Sequence, residues 1–280
     1  MSCFLNIVVA LPSEARPLID LLKLRPVPMP HGLKLYCRGD YRLLISGIGK
    51  IASASAVGVL AGMSAVNDRH IWVNVGIAGH QNLPVGSAAI AHAITDVATQ
   101  STFYPSIAFA SSIPSAVVHC FDEPTADYAG AAFCDMESAA FYAAAQRYAD
   151  TEFVHVLKVV SDNSAADLGA LNRDSISRLM EEALDEISSV IEQLLALDDR
   201  HRSSPMPLEI ESLCSKWHFT VTQTAQLREL ARRWSLVIDD IPWPPMASVG
   251  SSTTAREVLA HLTHVVDSKA VRLPPVQEHD

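Results

Sequence analysis

The chain contains 280 residues, 49% of them hydrophobic, and has a formal net charge of −10 at pH 7. This length and hydrophobic content allow one large core and a small second unit. The acidic balance opposes non-specific nucleic-acid binding, which depends on lysine and arginine side chains that neutralise phosphates. The sequence also has no apolar run near the roughly 18 residues that a membrane span needs. We therefore expect neither nucleic acid nor a membrane as a partner.

The cysteines predict a reducing environment. All five are scattered and none forms a Cys-x-x-Cys pair, which argues against a disulfide framework or a zinc ribbon. The 11 histidines are equally dispersed. We therefore expect a cytoplasmic protein that uses no metal and no cofactor.

Strands and helices alternate along the first 198 residues. Short apolar runs predict strands buried on both faces, and longer segments with helical spacing predict the helices between them. The predicted strands are Phe4–Ala10, a hairpin over Tyr36–Ser46, Ile71–Val75, Val85–Ile94, Ala116–Cys120 and Phe153–Val160, and the predicted helices include Lys50–Ala65, Met136–Tyr148 and Leu171–Leu197. This alternation is typical of an α/β sandwich around a largely parallel or mixed sheet.

The pattern changes after residue 198. Residues 199–207 are polar and include Pro205 and Pro207, which predicts a linker. Residues 208–280 show helical patterns only, over Leu208–Trp217, Thr222–Ser235 and Thr253–Val266. We therefore predict an α/β domain over residues 1–198 and a helical C-terminal extension over residues 208–280.

Small and acidic residues follow several of the predicted strands. Glu14 comes after the first strand, and Asp162 after the strand Phe153–Val160, while Glu137 begins an alanine-rich helix. Glycine-containing segments follow two more strands, at residues 46–50 and 74–79. Ligands bind beyond the carboxyl ends of the strands in open α/β sheets. We therefore expect the three acids to reach one cleft.

The segment Gly47–Ala52 also matches the glycine pattern of a dinucleotide-binding turn. Such a turn is followed by a strand that ends in an acid, which binds the ribose of the cofactor. Asp68 lies near the required distance, but it falls in the predicted loop Val66–Arg69. A glycine turn that packs a strand on a helix explains the segment better.

Together the segments resemble the nucleoside phosphorylase and nucleosidase superfamily, and above all its methylthioadenosine/S-adenosylhomocysteine nucleosidases. The resemblance covers Ile7 to about Leu195. It rests on residues 46–50, 74–79, 135–137 and 161–162, which occur in the order of that family. It implies a three-layer α/β/α sandwich with a mixed central sheet, a homodimer, and a small purine nucleoside as substrate. The domain over residues 1–198 is then the catalytic domain.

The resemblance also implies the roles of the acids. Glu14 matches the acid that activates the attacking water, and Asp162 matches the acid that protonates the purine at N7. Met136 and Glu137 match the pair that lines the ribose, with the glutamate accepting hydrogen bonds from the sugar hydroxyls.

Four further residues stand at positions around the base and the nucleophile, and three of them match the family. Ser161 matches the hydroxyl beside the catalytic acid, and Ala78 and Gly79 match small residues that let the backbone approach the purine. Ile77 stands where the family has a serine near the nucleophile, so an apolar side chain replaces a hydroxyl there.

Cleavage of a glycosidic bond requires such acids in different protonation states. Positive charge develops on the sugar and negative charge on the departing base. Glu137, expected in the first turn of a helix, would be stabilised as an anion by about 0.3–1 kcal/mol and would support the cationic sugar. Asp162 must carry a proton, whereas Glu14 must be ionised to accept one from water. The alternative interpretation is that Glu14 and Asp162 only cap local structure.

The sequence favours hydrolysis over phosphorolysis. A phosphorylase needs cations that hold phosphate, usually arginines. No Gly-Asp-Pro-x-Arg segment follows the first strand, and no Arg-x-Gly-Ser/Thr segment lies near the cleft. We therefore expect a purine nucleosidase that acts on a 5′-modified, adenosine-like nucleoside. The alternatives are a purine nucleoside phosphorylase and a non-catalytic nucleoside-binding or interaction protein of the same fold.

The segment Thr95–Cys134 is short for the family, in which it supplies an aromatic contact to the base and part of the 5′ pocket. His119 is expected near the mouth of the cleft, where it either contacts substrate or is structural. Four aromatic residues are candidates for the contact to the base, and a core position explains any of them: Phe103, Tyr104, Phe121 and Phe133.

Overall fold

The computed structural model describes residues 3–65, 68–125, 128, 130, 132–165, 171–203, 210–238, 243 and 249–268. Within them the strands are β1 (Cys3–Val9), β2 (Arg25–Val27), β3 (Lys34–Arg38), β4 (Tyr41–Ile45), β5 (Arg69–His80), β6 (Ala88–Asp96), β7 (Ser101–Phe103), β8 (Ser115–Cys120), β9 (Ala132–Asp135) and β10 (Val154–Asp162). The helices are α1 (Pro12–Leu22), α2 (Lys50–Gly62), α3 (Ser138–Ala145), α4 (Arg173–Glu182), α5 (Leu184–Ser203), α6 (Ile210–Lys216), α7 (Val221–Val237) and α8 (Ala255–Ser268). The chain divides into two compact units, Met1–Asp198 and Asp199–Asp280.

The first unit is built on one mixed sheet in the order β10-β6-β8-β9-β5-β1-β4-β3-β2, with β7 paired to β6. Strands β1, β4, β5 and β10 run parallel to their neighbours in this group. Strand β5 is central, because it pairs with β1, β10 and β9 along different parts of its length. The additional β10–β5 pairing closes half of the sheet on itself.

The alternation of apolar side chains on the central strands gives the sheet two covered faces. On β1, Leu5, Ile7 and Val9 point to one face, against α1, α4 and α5, whereas Val8 points to the other, against α2 and α3. Successive strand residues point to opposite faces, so a continuous apolar run needs a helical layer on both sides. The unit is thus the three-layer α/β/α sandwich with a mixed sheet that the sequence predicted.

Two predicted elements in this unit have different bounds. The strand predicted over Ile71–Val75 continues to His80, so residues 76–79 belong to β5 rather than to a following loop. The single helix predicted over Leu171–Leu197 is two helices, α4 and α5, separated at Ala183. The apolar periodicity continues across this break, since Met180, Ala183 and Ile187 all pack in the same core.

The linker predicted over residues 199–207 is partly wrong. Helix α5 continues to Ser203, so the first five of these residues are helical. Residues 204–209, which include both prolines of the prediction, lie outside the described residues. Polar composition alone does not distinguish a solvated helix end from a linker, and that explains the error.

The second unit contains the predicted helices α6, α7 and α8, and it has a hydrophobic core of its own. Trp217, Trp234 and Leu262 are buried in this core. The indole of Trp217 donates a hydrogen bond to the carbonyl of Ser252 at 2.9 Å, and Trp234 meets Trp243 edge to face at 5.5 Å between ring centroids. Among the described residues of both units, no helix is long and apolar enough to cross a membrane.

Candidate active site

A cavity of about 190 Å³ opens at the carboxyl ends of β1, β5 and β10. The structure brings all eight residues singled out from the sequence to its wall: Glu14, Ile77, Ala78, Gly79, Met136, Glu137, Ser161 and Asp162. They come from four separate segments of the chain. Strand order explains their meeting, because β5 lies between β1 and β10 and all three run in parallel.

Glu14 is fixed to the backbone on both of its carboxylate oxygens. Oε2 accepts hydrogen bonds from the amides of Ala10 at 3.0 Å and Leu11 at 2.8 Å, and Oε1 accepts one from the amide of Ile77 at 2.9 Å. Pro12 begins α1, so Glu14 is the third helical residue and turns back to the chain that enters the helix. The site uses the backbone amide of Ile77, and this hydrogen bond does not depend on the side chain at that position.

Lys158 stands behind Glu14 in the middle of the site, and it is 2% exposed. It projects from β10 opposite Gly76 of β5, and its ammonium contacts Oδ2 of Asp135 at 2.8 Å. A Cβ atom on Gly76 would lie 2.9 Å from Oε1 of Glu14 and 3.6 Å from Nζ of Lys158. The missing side chain at Gly76 is therefore what lets the acid and the cation share this space.

Burial and charge shift the pKa values of Glu14, Glu137 and Lys158. Burial raises the pKa of Glu14 above its ordinary value, while the Ile77 amide and Lys158 act in the opposite direction. Burial likewise raises the pKa of Glu137, and Lys158 again opposes the rise. Burial alone would lower the pKa of Lys158, but the carboxyls of Asp135, Glu137 and Glu14 outweigh it and raise the pKa. The cluster thus holds one cation with three acids in a region shielded from water.

Glu137 is held by the glycine turn before α2. Its Oε1 accepts a hydrogen bond from the amide of Gly49 at 2.8 Å. Gly49 has φ 101°, which favours glycine because a side chain there would be strained. The segment 46–50, which matched a dinucleotide-binding turn, therefore positions a carboxylate of the candidate site.

The start of α3 differs from the prediction. The helix begins at Ser138, and Glu137 precedes it without capping it. Asp135 is the acid that caps this helix: its Oδ2 accepts from the amide of Ser138 at 2.9 Å, and its Oδ1 accepts from the hydroxyl of Ser138 at 2.7 Å. The helix terminus therefore stabilises Asp135, and the stabilisation expected for Glu137 comes from Lys158 and Gly49 instead.

Asp162 ends β10, pairs in register with Gly79, and is 1% exposed. Its two carboxylate oxygens have different donors. The hydroxyl of Ser161 donates to Oδ1, and the hydroxyl of Tyr128 donates to Oδ2. Both of these donors are side-chain hydroxyls, whereas the three donors to Glu14 are backbone amides.

Of the four aromatic candidates for the contact to the base, one lines the cavity. Phe121 lines the cavity, whereas Phe133 packs edge to face on His80 and Phe103 packs on Tyr142. Tyr104 is 71% exposed. His119 is a partly buried residue of β8 and is not among the described residues that line the cavity.

Lysine and arginine are absent from the described residues that line the cavity. Lys50 begins α2 near the mouth, but its ammonium contacts Asp96 at 2.7 Å and Asp122 at 2.9 Å. This cation is therefore already matched by two carboxylates. The described residues also include no group of three His, Cys, Asp or Glu side chains placed to hold a metal ion.

The sequence analysis assigned no role to three side chains around the site, although it used Asp135 as part of the motif at residues 135–137. Lys158 carried a signal, because a lysine inside the apolar run 153–160 is rarely buried without a partner. Asp135 also carried one, since an acid three residues before a helical serine is a typical cap. Tyr128 carried no signal, as its contact with Asp162 spans 34 residues of sequence.

Comparisons with known proteins give a likeness in structure alone. No protein-family model matches the chain, and no curated sequence does. The methylthioadenosine/S-adenosylhomocysteine nucleosidase of S. pneumoniae matches 68% of this chain and 99% of its own, with 19% identity and a TM-score of 0.55. The methylthioadenosine nucleosidase of Arabidopsis thaliana matches 69% of this chain and 96% of its own, with 16% identity and a TM-score of 0.54.

The futalosine hydrolase of Helicobacter pylori is also similar, with 15% identity over 68% of this chain and 97% of its own, and a TM-score of 0.51. The chain therefore shares the fold of these nucleosidases and of this hydrolase, which is the fold that the sequence predicted. The matched structures are hydrolases with different named substrates. At these identities the likeness establishes the fold, and the substrate has to be argued from the site.

Proposed function

We propose that the protein is a nucleosidase that hydrolyses the N-glycosidic bond of an adenosine-like purine nucleoside with a modified 5′ group. The observation that supports this most is the grouping of Glu14, Glu137 and Asp162 around one buried cavity, with different partners for each acid. Cleavage of a glycosidic bond needs one group at the sugar, one at the water and one at the leaving base. The three acids provide these groups.

At the sugar, Glu137 would accept hydrogen bonds from the ribose hydroxyls and stabilise the developing oxocarbenium ion. The Gly49 amide and Lys158 support its ionised form against burial. One Glu137 oxygen is held by Gly49, so the carboxylate is oriented before substrate arrives. Met136 would cover an apolar face of the ribose, since it lines the same cavity.

At the nucleophile, Glu14 would take a proton from the attacking water. An ionised carboxylate has about four lone-pair positions for hydrogen bonds. Three of them accept the amides of Ala10, Leu11 and Ile77, which leaves one for a water molecule. Burial that raises the pKa of Glu14 improves it as a base at neutral pH, provided that Lys158 keeps it largely ionised.

At the base, Asp162 would donate a proton to the purine at N7. The flat surface of Ala78 and Gly79 beside it would let the purine approach the backbone closely. Ser161 would orient the acid through its bond to Oδ1, and Oδ2, which accepts from Tyr128 in this structure, would be the oxygen that serves the base. The sequence of events is protonation of the base, departure of the base, and attack of water on the sugar cation.

Water is the proposed nucleophile because the described lining contains no cation for phosphate. The cavity wall instead carries five acids: Glu14, Glu123, Asp135, Glu137 and Asp162. Such a wall repels phosphate and disfavours an anionic group on the substrate. A neutral or cationic 5′ group fits it better than a carboxylate or a phosphate.

A panel of purine nucleosides tests the proposal. Methylthioadenosine, S-adenosylhomocysteine, adenosine and inosine are incubated with and without phosphate, and the free base, ribose and ribose 1-phosphate are quantified. We expect free base and ribose from at least one adenosine derivative, at the same rate in both buffers. Asp150→Asn, an exposed acid outside the cavity, is the matched control for variants of Asp162.

The same panel decides between the alternatives. Dependence on phosphate, with ribose 1-phosphate as product, would identify a phosphorylase. Binding of a nucleoside without release of its base would identify the non-catalytic protein. If no nucleoside binds or reacts, the proposal is wrong.

We further propose that the protein works as a cytoplasmic homodimer. No disulfide joins the five cysteines, all of which lie in the described part of the chain, and this suits a reducing compartment. Ile48, at the cavity wall, is 58% exposed, and Ile51, in the first turn of α2, is 86% exposed. Apolar side chains so exposed beside a site favour coverage by a second copy. Residues 208–280 would act as a separate helical extension.

A further inference from the structure

Tyr128 occupies the part of the site where the base is expected. Its ring lies against the backbone of Gly79, so closely that a side chain on Gly79 would overlap it. Its hydroxyl donates to Oδ2 of Asp162. These are the two contacts assigned above to the purine, the flat approach to Gly79 and the bond to the acid.

The size of the cavity agrees with this occupancy. Its volume is about 190 Å³. Sites for small organic ligands usually have roughly 300–1,000 Å³. Gly79, Ser161 and Asp162 line the remaining space, so the base has to share their neighbourhood with the Tyr128 ring or displace it.

The hydrogen bonds that Asp162 accepts show which contact has to break when a purine binds. Oδ1 is taken by Ser161, its neighbour in sequence, and Oδ2 is taken by Tyr128. The purine nitrogen needs Oδ2, because Ser161 is tied to the same strand and remains in place. Because the Tyr128 ring lies against Gly79 beside this oxygen, a purine placed there has to move the ring, and this movement breaks the bond from Tyr128 to Oδ2.

We propose that Tyr128 is a specificity-determining residue that fills the base subsite of the empty protein, and that the purine displaces its hydroxyl from Asp162 on binding. This inference rests on the proposed function. A base gains access only if its own hydrogen bond to Asp162 replaces the one it breaks. Bases without an acceptor at the N7 position are then rejected, because they would leave Asp162 without the partner they removed.

The proposal predicts that loss of the hydroxyl improves substrate binding. The apparent dissociation constant equals the intrinsic constant divided by the fraction of protein with a free subsite. Tyr128→Phe keeps the ring and removes the bond, so this fraction rises. We expect KM and the dissociation constant for methylthioadenosine to fall about 10-fold, with a smaller change in kcat. Tyr104→Phe, on an exposed tyrosine, is the matched control and should leave KM unchanged.

A double-mutant cycle separates this role from a structural one. Dissociation constants for methylthioadenosine are measured by calorimetry for the wild type, Tyr128→Phe, Asp162→Asn and the double variant. We expect the gain from Tyr128→Phe to shrink in the Asp162→Asn background, because the bond to a carboxylate is no longer there to be lost. An equal gain in both backgrounds would show that Tyr128 acts independently of Asp162.

The outcomes for the two proposals are distinct. If the wild type cleaves nucleosides but Tyr128→Phe binds them equally or more weakly, the inference is wrong and the proposed function stands. If neither the wild type nor Tyr128→Phe binds or cleaves a purine nucleoside, both are wrong. If the wild type binds and cleaves a nucleoside weakly and Tyr128→Phe binds it more tightly, both are supported.

Discussion

The two ends of the candidate site are built differently. At the end proposed for the sugar and the water, Glu14 and Glu137 accept from backbone amides and interact with Lys158, a cation that is almost fully buried. At the base end, Asp162 is held by the hydroxyls of Ser161 and Tyr128. Backbone amides cannot rotate away from their acceptors, whereas side-chain hydroxyls can. The first end is therefore preorganised, and the second can exchange one partner for a ligand.

The largest expected effect separates the two ends by the leaving group. Asp162→Asn should lower the rate with methylthioadenosine by about 10²–10⁴, the usual contribution of a general acid. The same variant should retain hydrolysis of p-nitrophenyl β-D-ribofuranoside, whose leaving group departs without protonation. Glu14→Gln and Glu137→Gln should lose activity on both substrates. Release of base and of nitrophenolate is followed for each variant.

Two results would contradict this division. An equal loss of activity on both substrates in Asp162→Asn would show that Asp162 is not the proton donor. Unchanged turnover of methylthioadenosine would show that Asp162 takes no part in the reaction. Circular dichroism of each variant controls for folding.

The second effect concerns stability. Lys158→Met leaves Asp135, Glu14 and Glu137 without their cation in a buried region, and removal of one partner of a buried ion pair costs about 3–5 kcal/mol. Ser161→Ala at the base end should cost only about 1 kcal/mol, since it removes a single hydroxyl bond. The free energy of unfolding in urea measures both. Similar losses in the two variants would show that the ends do not differ in rigidity.

The third effect uses a pair of glycines on the same strand. Gly76→Ala would push a methyl group against Glu14, which three amides hold in place, and we expect a loss of about 1–3 kcal/mol. Gly79→Ala would push against Tyr128 and Asp162, whose side chains can move, so the loss should be under about 1 kcal/mol. Each glycine serves as the control for the other in thermal unfolding. A larger loss of stability in Gly79→Ala than in Gly76→Ala would contradict the difference in rigidity between the two ends.

The smallest effect is a shift in pH dependence. Glu14 acts as a base only when ionised, so activity falls as the pH drops through its pKa. Burial raises this pKa above the ordinary value of 4.5, so the decline of kcat/KM should begin above that pH. Lys158 opposes the rise, and a Lys158→Met variant that retains activity should decline at still higher pH. Profiles of kcat/KM from pH 4 to 9 test this, and a decline centred at or below 4.5 would contradict it.

The sequence predicted that the three acids meet at one cavity, but it predicted their surroundings poorly. Glu14, Glu137 and Asp162 follow or precede recognisable strands and helices, so their arrival at one edge followed from the alternation of elements. The length of β5 was not predicted, because Gly76–Gly79 looks like a turn although the sheet continues through it. The break at Ala183 was missed for a similar reason, since the apolar spacing runs on through it.

The partners of the acids depended on contacts between distant segments. Gly49 reaches Glu137 across 88 residues of sequence, and Ile77 reaches Glu14 across 63. Strand order places them together, because β9, β5, β1 and β4 are successive neighbours in the sheet. Local propensity carries no information about such pairings.

The sequence by itself determined the α/β class, the acids and the small residues beside them, because these depend on periodicity and on residue type. Only the tertiary structure decided the environment of each acid: Asp135 caps the helix in place of Glu137, Lys158 joins three carboxyls, and Tyr128 fills the expected place of the base. Charge and burial act through space, so the state of an acid is set by neighbours that its own segment does not contain.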